Sequence, residues 1–219
     1  MPAMPPQKDD PSIVAGRAAK LAFTAKAAGI RSDPEATDLA KARQVVDLWD
    51  RLVVDLGRRR ADLVSRRRAR LAELEEIAPT GANVDPATTP ADRAVLLKMF
   101  QDATDRARDA DPATLMKMYR DAMRFDDQLV QRAVFTVGLQ DGRAPILDAY
   151  LADHPEVRPL LDELGELGAL LAGTAPDGWA VQALSVGPPM GSRRPEEVAT
   201  LPVLEQAETR RQDALRGRR

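Results

Sequence analysis

Cysteine is absent from these 219 residues, which removes disulfides, thiolate nucleophiles and thiolate metal sites together and fits a reducing compartment. Histidine occurs once, at His154, so a transition-metal site lacks its usual ligands. Aromatic residues make up only 4% of the chain. A core must therefore be built from Leu, Val, Ala and Met, which pack between helices more readily than between sheets. An excess of either charge is missing too, with 32 Lys plus Arg against 34 Asp plus Glu, so general attraction to nucleic acid or an anionic membrane is not expected and any such affinity must be local. No apolar run approaches the roughly 20 residues that cross a bilayer. The start, Met1-Pro2-Ala3-Met4-Pro5-Pro6, has neither the basic end nor the apolar centre of a secretion signal. A cytoplasmic product is the expectation.

Catalytic motifs are equally scarce. No GxGxxG opens a helix, and there is neither a Walker lysine nor a GxSxG elbow. Gly187-Pro188-Pro189-Met190-Gly191-Ser192 has the glycines of a phosphate loop, but its prolines lack the amides such a loop donates. The acidic pair Asp126-Asp127 and the set Asp105, Asp109 and Asp111 lie at expected helix junctions without calcium-loop spacing, so they read as caps. His154, before Pro155, reads as a cap or a satisfied surface group. The reading is a non-enzyme with no cofactor, no metal and no small-molecule substrate.

What is present is 44% hydrophobic content, enough for one good core or two small ones. The pattern predicts an all-α chain: one long N-terminal helix plus a small multi-helix bundle or helical-hairpin array, with flexible Pro/Gly-rich segments. Residues 1–11 read as a flexible arm. Residues 12–78 read as a short helix, with Val14, Ala18, Leu21, Ala22 and Ala25 on one face, then a long helix starting at Asp33-Pro34. On that helix Leu39, Ala42, Val46, Trp49, Val53 and Leu56 recur in steps of three and four, continued by Arg60, Leu63, Arg67, Arg70, Leu74 and Ile77. The first half suits a core or a coiled coil, the arginines weaken a zipper in the second, and Gly57 marks the junction.

Pro79, Gly81, Asn83 and Pro86 make 79–89 a linker. Residues 90–171 follow as a bundle, with Leu96, Met99, Phe100, Ala103 and Ala107 facing inward on its first helix and short connections implying antiparallel neighbours. Residues 172–202 are a Gly/Pro-rich docking segment in which Trp179, Val181 and Leu184 form an apolar patch that packs back or docks elsewhere. A helix from Pro202 and a basic tail complete 203–219.

Two arginine groups are the candidate partner-binding residues: Arg58, Arg59, Arg60, Arg66, Arg67, Arg68 and Arg70 on the long helix, and Arg210, Arg211, Arg218 and Arg219 at the end. Guanidinium groups grip phosphate or carboxylate in bidentate fashion. The alternative is a solvated helix stitched by pairs such as Asp55–Arg59 and Asp62–Arg66. Acidic residues from Asp148 to Glu166 offer a complementary surface, so contact within the chain or between copies is as economical as an external ligand.

The stretch from Leu129 through Leu147-Asp148-Ala149-Tyr150-Leu151-Ala152-Asp153-His154-Pro155 to Leu164 resembles helical segments of small proteins from tailed-bacteriophage virion-structure gene clusters, particularly in phages of actinobacteria. The preference for Ala, Arg and Asp, with Arg over Lys, fits high-GC coding of that kind. The resemblance covers about 40 residues and implies a scaffold, capsid-associated or connector component that binds itself or a multimeric protein assembly, possessing no catalytic residues and incorporated in a virion or acting in the host cytoplasm. A nucleic-acid-binding accessory protein and a bacterial helical adaptor are the alternatives.

Overall fold

A computed structural model describes residues 4–85, 87–186 and 193–216, and over these the chain is all-α. A 3-10 turn at Gln7–Asp9 leads into α1 (Pro11–Ser32), α2 (Asp38–Ile77), α3 (Pro90–Asp109), α4 (Pro112–Arg124), α5 (Gln128–Gln140), α6 (Ala144–Asp153), α7 (Val157–Ala172), α8 (Gly178–Leu184) and α9 (Glu197–Arg216). Among the described residues no helix is long and apolar enough to cross a membrane. The chain forms two compact units, 1–70 with 169–219 and 71–168. The 79–89 stretch, expected as the boundary, thus lies inside the second unit, where Gly81 N–H donates to Thr136 Oγ1.

In the first unit, Asp10 caps α1 by accepting from the Ser12 amide at 2.8 Å, with Pro11 in the first helical turn. The expected arm is therefore shorter, since Asp10 is itself buried. The inward face of α1 is also not the expected one. Val14 and Leu21 are exposed, whereas Ile13, Gly16 and Ala27 are buried and Phe23 packs on Trp49. Alanine-rich helices offer two plausible stripes, and Ile13 decides between them by burying fully. Gly16 lets α8 approach: a Cβ there would lie 2.5 Å from Leu184 Cδ2 and 2.9 Å from the Ala183 carbonyl oxygen.

α2 begins later than Asp33-Pro34. Asp33 accepts from the Glu35 amide in a turn, and Thr37 Oγ1 accepts from the Ala40 amide at the helix start. The helix then runs through Gly57 without a break. Its buried seam is Ala42, Val45, Trp49, Leu52, Leu56, Leu63, Arg67 and Leu74. The fully buried positions are Val45 and Leu52 rather than Val46 and Val53, though Val53 still packs against the core at its edge, and Arg60 and Ile77 drop out because they are exposed. Within the first unit, Trp49, Leu52, Leu56 and Leu63 pack with Ile13, Ala180, Ala183 and Leu184. The expected zipper seam is thus used by the chain's own core.

The second unit packs α3 to α6 around Ala107, Leu115, Tyr119, Val134, Phe135, Val137, Ile146 and Tyr150. Thr89, Asp111 and Asp127 cap α3, α4 and α5 through their side chains, so two of the acidic residues weighed above act as caps. Tyr119 donates to Asp153 at 2.8 Å. Burial, with that carboxylate close by, pushes the Tyr119 phenol well above its usual range.

Near the C-terminus, Pro202 does not open a helix but lies inside α9, which starts at Glu197. As the sixth residue of α9, Pro202 lacks the amide that would bond to the Val198 carbonyl. Arg31 and Arg43 hold α9 through Glu197, at 2.6 Å, and Glu205, at 3.1 Å.

Candidate interaction surfaces

The arginines of α2 separate by the faces they occupy. Arg67 falls on the buried seam and meets Asp177 through two bonds of 2.7 and 3.2 Å, its side chain only 4% exposed. Arg66 grips Asp10 through 2.9 and 3.0 Å bonds and reaches Ser12 Oγ and Asp62. Burial alone would raise the Asp10 pKa, but the Arg66 guanidinium and the Ser12 amide outweigh it and hold the carboxyl below its ordinary value. Arg59 pairs with Asp55 one turn away, and Arg70 is also engaged. These four, expected on a partner surface, are committed within the chain. Arg58, Arg60 and Arg68 are exposed, and among the described residues no ion pair reaches them. Arg60 and Arg68 border a shallow depression of about 450 Å³ floored by Gly57, Ala61, Val64 and Ser65.

The C-terminal candidates divide similarly. Leu184 is core, 3% exposed. Trp179 lies on α8 with the Arg17 guanidinium 4.3 Å over its ring, a cation–π contact inside the chain, and Val181 is partly exposed. The patch therefore packs back, held further by Lys20 Nζ, which donates to the Gln182 and Ser185 carbonyls. Arg210 and Arg211 are exposed on α9. Arg218, Arg219 and the Gly187–Ser192 segment lie outside the described residues.

A surface not read from the pattern is the first half of α3. Val95, Leu97 and Met99 are 57%, 50% and 52% exposed, and Leu96 and Phe100 are only half-buried. The helix settles into its core only from Ala103 onward, through Ala103, Thr104 and Ala107. Of the residues expected to face inward, Met99 is overturned by its exposure, while Leu96 and Phe100 turn toward the core side but are only half covered. The visible signal was the run Val95-Leu96-Leu97-Lys98-Met99-Phe100, which is apolar on more sides than one core face can cover.

The second unit also holds a cleft of about 450 Å³ beside His154, bordered by Asp126, Arg132, Tyr150 and Glu156. His154 Nδ1 is 3.5 Å from Glu156 Oε1, and Nε2 is buried without a partner among the described residues. His154 is the C-cap of α6, the first of the two roles expected of it, and its unpartnered Nε2 departs from the second, a satisfied surface group. Burial raises the Tyr150 phenol, with Arg132 lowering it and Glu156 raising it further. A histidine–carboxylate pair is the start of a general base, but among the described residues no serine, threonine or lysine lines this cleft. Among the described residues no three His, Asp or Glu groups are placed to hold a metal ion.

The chain matches no family model, no curated protein and no solved structure in comparisons with each.

Proposed function

We propose that this chain is a non-enzymatic structural or assembly protein, a helical subunit that binds copies of itself or another subunit of a multimeric assembly. The observation that carries the reading is the uncovered apolar half of α3, with Val95, Leu97 and Met99 each at least half exposed. Val95 and Met99 lie one turn apart on one flank of Leu96 and Phe100, Leu97 on the other flank, and apolar side chains left exposed in this way are what association covers. The resemblance of α5 to α7 to proteins of phage virion-structure clusters supplies the setting, a scaffold, capsid-associated or connector component. In sedimentation at tens of micromolar the chain is expected to associate, and Leu97→Asp with Met99→Asp to weaken that association while helicity stays unchanged. A monomer at all concentrations, together with no partner protein retained from the native source, would sink the reading.

Arg58, Arg60 and Arg68 support a second reading, a nucleic-acid-binding accessory protein, because they are exposed and no ion pair reaches them among the described residues. Replacing these three with Gln would then weaken DNA retention and flatten its salt dependence. Unchanged retention removes that reading. Arg66 and Arg67 are poor choices for this test because their loss disturbs the fold.

A further inference from the structure

We infer that α2 carries a second, outward heptad seam, and that two copies of this chain pair through it as antiparallel helices about a two-fold axis. Asp50, Val54, Gly57, Ala61, Val64 and Arg68 recur in steps of four and three, the spacing that keeps a stripe facing a partner helix. Four of them directly follow buried positions: Asp50 after Trp49, Gly57 after Leu56, Val64 after Leu63 and Arg68 after Arg67. One residue is about 100° of helix rotation, so the stripe stands well off the core face. Val54 is 61% exposed, Asp50, Gly57, Ala61 and Arg68 are exposed, and Val64 is half-buried. A Cβ added to Gly57 would meet nothing within 4 Å.

The occupant follows from the order of residues along the seam. An antiparallel copy centred level with residue 59 sets Gly57 against Ala61 of the copy, Val54 against Val64, and Asp50 against Arg68. Each layer recurs across the axis, as an isologous contact requires. Small residues at the centre permit close backbone approach, the valines close over them, and a carboxylate meets a guanidinium at both ends. Neither Asp50 nor Arg68 has an ion-pair partner among the described residues, so neither must give one up. Parallel pairing in register would set Asp50 against Asp50 and Arg68 against Arg68, which repel.

This inference rests on the reading of the chain as a self-associating subunit. The test is sedimentation velocity of the full chain across a concentration series, with helicity checked by circular dichroism. The wild type is expected to form dimers or larger species. Asp50→Arg and Arg68→Asp should each weaken self-association about ten-fold or more, the two combined in one chain should restore it to within about three-fold, and Ala61→Trp should abolish pairing at this seam. All these positions are exposed or unpacked, so the variants should fold. A wild-type monomer overturns this inference together with the self-association arm of the proposed function. Self-association that none of the α2 variants alters overturns the α2 interface alone, as does failure of the combined charge reversal to restore it.

Discussion

Arginine side chains on successive positions of one helix do three different jobs here, and the helix phase assigns them. Arg67 points along the core seam, where both of its terminal nitrogens donate to the Asp177 carboxylate. Truncating one partner of such a pair leaves an uncompensated charge, so Arg67→Met should cost roughly 2–4 kcal/mol in urea unfolding. Arg58→Gln, on the exposed side, should stay within about 0.5 kcal/mol. Equal effects of the two would show that the buried pair does not form. Arg66 acts at the other end, on Asp10. The folded Asp10 pKa is lowered, so the unfolded chain binds the proton more readily and stability rises with pH across that window. The contribution is complete above the unfolded value, near pH 4, and is lost as pH falls through the folded one. Wild type should therefore lose more stability than Asp10→Asn between pH 5 and about pH 3; parallel losses would contradict the assignment. Sequence spacing exposed Asp55–Arg59 and Asp62–Arg66, because those partners lie one turn apart. Asp10 and Asp177 lie 56 and 110 positions from their arginines, and no local pattern links them.

At the level of whole helices, glycines report what each face must admit. Gly16 lies where α8 crosses α1, and any Cβ would press on the Ala183 carbonyl as well as on the Leu184 side chain. Gly16→Ala should destabilise by about 1–3 kcal/mol despite alanine's better helix propensity, since overpacking against backbone cannot relax by rotamer change. Gly57→Ala, with open space around it, should stabilise the isolated chain by roughly 0.5–1 kcal/mol. The opposite signs are readable in thermal unfolding, and a stabilising Gly16→Ala would refute the close α1–α8 contact. Most helices were legible because their starts are chemically explicit: Thr89-Pro90 and Asp111-Pro112 each offer a side-chain acceptor followed by a residue with no amide to satisfy. The same grammar sits in Asp10-Pro11, where it was masked by three further prolines and a lack of large apolar residues. At Asp33-Pro34 it misled, because Thr37 provides a competing cap four residues on. α8 escaped notice because seven residues are too few for a helical period to declare itself, and its docking depends on Gly16, 168 positions from Leu184 in sequence. Which stripe of α1 faces inward, and which half of α3 stays uncovered, depended on partners distant in sequence and could not be read from period alone.

For the molecule as a whole, the two uncovered surfaces have different consequences for assembly. The α2 seam is self-complementary about a two-fold axis, so used alone it closes at a dimer. The first half of α3 supplies a separate apolar contact on the second unit, and a dimer that still exposes two such surfaces has a route to a larger particle. The contacts should therefore separate by mutation. Ala61→Trp should remove the two-fold step and leave association through α3, while Leu97→Asp with Met99→Asp should leave a species that stops at two chains. Light scattering after size-exclusion chromatography, run at tens of micromolar, distinguishes these masses directly. If the α3 variant is a dimer and Ala61→Trp in the same chain is a monomer, both interfaces are independently supported. If the α3 substitutions change no mass at any concentration, Val95, Leu97 and Met99 serve a heterologous partner instead, and co-purification of wild type, but not of that variant, with a virion or its precursor particle becomes the deciding measurement.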